Sequence, residues 1–249
     1  MKFSFEKIRR VPKTGTLALS ALVTFIPFFF ITLLFVINEH AVKASSGFGV
    51  LDFELAWNPG TMRRIFAAWG PAEMRYQAFV TYVDCLYLVI YALFAALLIL
   101  LIARRLRGRL QEIGFLFTLT PVLAAIFDAL ENTFLLSMLN RGAALRPQDP
   151  YLASLLATLK IAFLAAALSF IFVAALLLLV KRCKVPDVYY YLMLFAAGGA
   201  VIWLLAQWRY YLCFVIGPVY FAVTLLLVLS ARSGELQHTT QQDIDTWCA

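Results

Sequence analysis

The chain has 249 residues, of which 63% are hydrophobic and only 14% charged, with a formal net charge of +7. Its mean hydropathy is +0.85. Soluble domains carry roughly a quarter charged residues, so these values exclude one. The apolar residues form long blocks, which excludes a transmembrane barrel, whose strands alternate every second residue.

Six blocks are long enough to cross a bilayer as helices: about 17–38, 79–103, 113–138, 152–180, 188–207 and 210–230. The expected fold class is an all-α integral membrane protein, a six-transmembrane-helix bundle. Residues 1–230 form one transmembrane domain, and 231–249 a polar cytoplasmic tail. The first block follows a basic segment, but its apolar run from Leu17 to Ile37 spans 21 residues, longer than a signal-peptide core. It reads as an uncleaved first helix.

Basic residues cluster at Lys2, Lys7, Arg9, Arg10 and Lys13, at Arg104, Arg105, Arg107 and Arg109, and at Lys181, Arg182 and Lys184. These clusters border every second loop, the positive-inside pattern, which places both termini in the cytoplasm of a multi-pass inner-membrane protein. The positive charge is thereby assigned to the lipid bilayer surface, with no nucleic-acid partner. Oligomeric state is not encoded in any pattern here.

The external loop is 39–78. Leu51-Asp52-Phe53-Glu54-Leu55-Ala56-Trp57 alternates with period two and predicts a short extended segment. After Asn58-Pro59-Gly60, Thr61 is placed to cap a short amphipathic helix, with Met62, Ile65, Phe66 and Trp69 on one face. Gly70-Pro71 ends it. Such a helix lies in the membrane interface or caps the bundle. Pro27, Pro121 and Pro218 are candidate helix bends, and residues 196–200 form a small-residue packing face.

Charged residues inside apolar spans are costly unless paired, and so mark either a polar lock or a working site. Asp84 stands 20 residues before Arg104, about 30 Å along a helix. Counting from Glu112 places Asp128 near ~24 Å and Glu131 near ~28 Å, and counting from Lys181 places Lys160 near ~31 Å. All four fall in one layer, which Arg209 reaches from the opposite direction. Tyr87 and Tyr91 share the Asp84 stripe, while Asp128, Glu131 and Asn132 share another above Ala124 and Ala125. Lys160 is expected to pair with Glu131 or Asp128. Three carboxyls to one ammonium leave a group that holds a proton or attracts a cation. Asp84, Asp128, Glu131, Asn132, Lys160, Tyr87, Tyr91 and Arg209 are therefore the candidate ligand- or ion-binding residues.

Other chemistries find little support. His40 and His238 are isolated, which argues against haem ligation and serine–histidine catalysis. Cys85, Cys183, Cys213 and Cys248 form no metal or disulfide framework. Asp128-x-x-Glu131 is a weak divalent-cation signal, and no phosphate-binding glycine loop occurs. Neither a cofactor nor a catalytic residue is assigned.

The run from Leu51-Asp52-Phe53 to Trp69-Gly70, then Tyr82-x-Asp84 with Tyr91, Asp128-x-x-Glu131-Asn132 and Lys160, resembles a group of bacterial multi-pass inner-membrane proteins with a D…DxxEN…K pattern. The resemblance covers residues 48–165 and implies no activity. Three readings stay open. One is a permease or carrier for a small ligand, lipid or cation, with Asp128 and Glu131 sensing charge, Lys160 as counter-ion and 39–78 as a lid. The others are an assembly protein whose buried charges lock helices, and a lipid-modifying enzyme.

Overall fold

Four apolar helices of membrane length dominate the computed structural model, which describes residues 14–106 and 109–181. Helix α1 runs Thr14–Ser46 and contains Pro27. A single-turn helix α2, Val50–Glu54, precedes α3, Pro59–Ala103. Helix α4, Arg109–Phe117, and helix α5, Thr120–Arg141, together form the third span. A 3₁₀ turn at Gly142–Ala144 leads to α6, Asp149–Lys181. The described part is a multi-pass helical membrane protein. Blocks 188–207 and 210–230, Arg209, Pro218, the small-residue face 196–200 and the tail 231–249 lie outside the described residues.

The helices turn apolar side chains outward as well as inward. Leu19, Val23, Ile26, Phe30, Leu34 and Ile37 follow one stripe of α1 and are all more than half exposed. Such a stripe at helical spacing suits lipid and would be a liability in water. Inside, apolar clusters occupy both ends of the bundle. Phe25, Phe94, Leu98, Ile102 and Ile171 pack at one end. Phe53, Met62, Ile65, Trp69, Leu135 and Met138 pack at the other. Between them, Tyr91 and Ala92 pack on Ala124 and Ala125. The two alanines let α3 approach α5 closely, as small residues do where helices pack in lipid.

The segment after α1 differs from the sequence expectation. Residues 50–54 are helical rather than extended, and α1 continues to Ser46, so most of 39–78 is helix. The cause is long-range capping. Glu39 Oε2 accepts the amide of Val50 and, at 3.3 Å, that of Leu51. Asp52 accepts the Gly49 amide at 2.9 Å. The orphan donors of a helical start are thus satisfied, and one turn forms where alternation alone suggested a strand. Phe53 then points into the core, only 1% exposed.

The next helix begins three residues earlier than expected. Asn58, not Thr61, is the cap: its side chain accepts the Thr61 amide at 2.8 Å, with Pro59 in the first turn. Met62, Ile65, Phe66 and Trp69 are all buried, and Trp69 Nε1 donates to the Phe48 carbonyl at 3.1 Å. This stretch therefore caps the bundle. Gly70 breaks it with φ 69° and ψ 174°, a conformation that favours glycine, and the span restarts at Pro71. Pro121 does not bend a helix from within. It sits in the first turn of α5, where its missing N–H costs nothing, after a break at Thr118 and Leu119.

Gly49 presses against the Glu39 carboxylate so closely that any Cβ would overlap it, although its φ of −92° suits other residues. Gly49→Ala should therefore evict Glu39 and lose its capping, about 1–2 kcal/mol. In a Glu39→Ala background the same substitution should cost almost nothing. Thermal unfolding of the four proteins of this cycle in detergent checks the coupling.

Candidate functional site

Lys160 sits on the packing face of α6 that also carries Ala153, Ser154 and Ala157, each fully buried. These small side chains leave room for the long lysine stem. Across from it, α5 presents Asp128, Glu131 and Asn132 at i, i+3 and i+4, one continuous face. The Lys160 Nζ lies 2.7 Å from Glu131 Oε2 and 3.3 Å from Asp128 Oδ1. Both expected partners are thus engaged together. A third one, Glu54 Oε2 from α2, stands at 3.3 Å.

Asp128 is saturated from both sides. Its other oxygen, Oδ2, accepts the Tyr91 hydroxyl of α3 at 2.9 Å. Glu131 is fully buried, and its contact with Lys160 is an ion pair without hydrogen-bond alignment, since neither of its oxygens meets a well-directed donor. Asp84 stands slightly apart. Its Oδ2 accepts the Asn132 amide at 2.8 Å, and among the described residues no cation comes within ion-pair distance. Tyr87 turns toward α1. The Thr32 hydroxyl donates to the Phe28 carbonyl, so the 2.5 Å contact between Tyr87 and Thr32 has the phenol as donor.

The cluster therefore joins Asp84, Tyr91, Asp128, Glu131, Asn132 and Lys160 across three spans. Arg209 lies outside the described residues. Sequence reasoning missed Glu54, because the alternating pattern made it one polar residue of an exposed strand. It also missed Ser154, whose hydroxyl donates to the Glu54 carbonyl at 2.8 Å and accepts the Trp57 amide at 3.0 Å. Ser154 ties the loop to α6. The buried Asn38–Gln77 pair, with Asn38 Nδ2 donating to Gln77 Oε1 at 3.2 Å, joins α1 to α3 at the same end. The one available signal was Asn38-Glu39, two polar residues closing a long apolar run.

A cavity of about 350 Å³ opens beside the cluster. Asp84, Glu54, Lys160 and Asn132 line its polar side, and Phe35, Val36, Phe53 and Leu164 its apolar side. Its volume lies within the range of small-molecule sites. Asp128 and Glu131 do not line it; they lie behind Lys160. Among the described residues no group of three or more histidine, cysteine or acidic side chains is arranged to hold a metal. The Asp128-x-x-Glu131 pair embraces the ammonium instead.

Charge, burial and span architecture together define a multi-pass helical membrane protein with a buried Lys160–carboxylate cluster. Comparison with protein-family models, curated proteins and solved structures gives no match.

Burial pushes the Glu54 carboxyl above the ordinary carboxylate range; the Lys160 ammonium opposes this and the Asp128 charge adds to it. Its contribution to stability is thus complete below the ordinary carboxylate range and declines as pH rises through the raised value. Thermal midpoints measured across pH should show this decline, and Glu54→Gln should flatten it. Lys160→Met leaves three carboxyls around a vacant centre and should cost about 3–5 kcal/mol, far more than Glu54→Gln. Denaturation in detergent at neutral pH separates the two variants.

Proposed function

We propose that this is a six-span inner-membrane protein, with cytoplasmic termini, that binds a small ligand near the outer face. The basic clusters at 104–109 and 181–184 support this orientation, since they leave the Glu39–Trp57 segment on the opposite side. The cavity beside Asp84 carries the reading. It is lined by α1, α2, α3, α5 and α6, and combines convergent polar groups with an apolar wall, the make-up of a ligand site.

Within this reading the cluster divides its labour. Asp84, Glu54 and Asn132 meet the ligand, and Tyr87 shapes the wall nearest α1. Asp128, Glu131 and Tyr91 hold Lys160, whose stem reaches the cavity. The α2 segment is the lid, pinned by Glu39 and Ser154. The burial of Glu131 favours a locking role for that inner trio, so the structural reading applies to the sealed half and ligand binding to the open half.

Val36→Trp should fill the cavity with an indole and leave the charge cluster intact. Small molecules released by denaturing protein purified in lipid nanodiscs can be identified by mass spectrometry. A near-stoichiometric compound from the wild type, lost in Val36→Trp at an unchanged thermal midpoint, is the expected result. Equal recovery from both, or none from the wild type, contradicts ligand binding.

A further inference from the structure

Among the described residues, the cavity wall carries more carboxyls than ammonium groups. Lys160 makes its ion-pair contacts with Glu54, Asp128 and Glu131. Among the described residues Asp84 has only the neutral Asn132 amide, and it is half-buried on the cavity wall. Glu39 lines the same cavity, 6% exposed, and its Oε1 is buried without a hydrogen-bond partner. Among the described residues, two acidic side chains with uncommitted oxygen atoms thus share one cavity with Phe35, Val36, Tyr87 and Leu164. An anion entering it would meet three carboxyls, Glu39, Glu54 and Asp84, for one shared ammonium. Among the described residues the acidic side chains are not grouped closely enough to hold a metal ion.

We propose, on the ligand-binding reading above, that the cavity takes a monovalent organic cation, an ammonium on an apolar body. The ammonium is placed at Asp84, where it supplies the cationic partner that this carboxylate lacks among the described residues. The apolar body lies along Phe35, Val36 and Leu164, with Tyr87 presenting its ring. The volume, equal to about a dozen waters at liquid density, suits a short alkyl or aryl amine. The ammonium could come from a free amine or from an aminophospholipid headgroup, and the arms of the test separate these.

The experiment uses the full chain in phosphatidylcholine nanodiscs, with Cys85, Cys183, Cys213 and Cys248 replaced by serine and Val36→Cys added. The rate at which neutral methyl methanethiosulfonate modifies the thiol at position 36 reports access to the cavity. Decylamine, decyl sulfate and decanol are then compared as protectants. Decylamine should slow the modification about tenfold or more, a difference of ~1.4 kcal/mol, while the other two leave it nearly unchanged. Asp84→Asn, which keeps an acceptor for Asn132, should abolish the protection at an unchanged thermal midpoint. Protection by phosphatidylethanolamine in place of phosphatidylcholine identifies the lipid as the source, and its absence identifies a free amine. If all three decyl compounds protect alike, or none does, the cation proposal is overturned while the cavity stands. If the thiol at position 36 reacts no faster than one introduced by Leu98→Cys, deep in the sealed core, the ligand-binding reading fails too.

Discussion

A single ammonium in the apolar interior organises this bundle. Lys160 reaches carboxylates on α2 and α5 at once, and through Asp128 it is connected to the Tyr91 phenol on α3. Removing such a charge from water costs several kcal/mol, which is recovered only when good geometry and several partners coincide. That requirement acts as a constraint on the fold. The helices must stop sliding at the register where Asp128, Glu131 and Lys160 face each other, because any other register strands charge in hydrocarbon. The apolar contacts above and below are far less selective, since leucine meets lipid nearly as well as it meets leucine.

The same ammonium recruits a segment that would otherwise lie outside the spans. Glu54 reaches inward from α2, Phe53 beside it is sealed into the core with Met62 and Trp69, and Ser154 binds both the Glu54 carbonyl and the Trp57 amide. Trp57 accepts a positive φ of 57°, unusual for a bulky residue, at the point where its amide meets Ser154. Backbone strain of this kind persists only where surrounding contacts over-determine it. The loop is thus built into the bundle, and its anchors, Glu39 at one side and Ser154 at the other, lie next to the cavity wall.

The four described spans and the central ion pair were legible in the sequence because each rests on a local regularity. Hydrophobic length gives a helix, helical periodicity gives a face, and residue counts from the basic belts give a depth. Where these three coincide, Lys160 has few places to go but Asp128 and Glu131. Gly70 was legible for a similar reason, as glycine before proline stops a helix on its own. Glu39 and Glu54 were not legible, since their partners are decided by how the chain returns on itself. Period-two alternation over a handful of residues fits a single helical turn almost as well as a strand. What selected the helix was a carboxylate eleven residues away capping Val50, and no local pattern signals that. Asn58 displaced Thr61 as cap by a subtler margin: both can cap, but Pro59 favours the first helical position and so sets the start.

The division between sealed and open carboxyls has a physical rationale. Asp128 and Glu131, behind Lys160, are spent on the ammonium, and their burial removes the water that would weaken that attraction. Asp84 belongs to the same layer but lines the cavity, with Asn132 orienting it. A carboxylate held by one neutral amide on a rigid helix keeps its direction without having its charge cancelled. Asn132 is adjacent in sequence to Glu131, so the residue that orients Asp84 is fixed by the same α5 register that Lys160 sets. Slippage of the lock would therefore misdirect Asp84 before it exposed the core, which makes the ion pair at Lys160 the positioning element for the open half of the cluster as well as its own anchor.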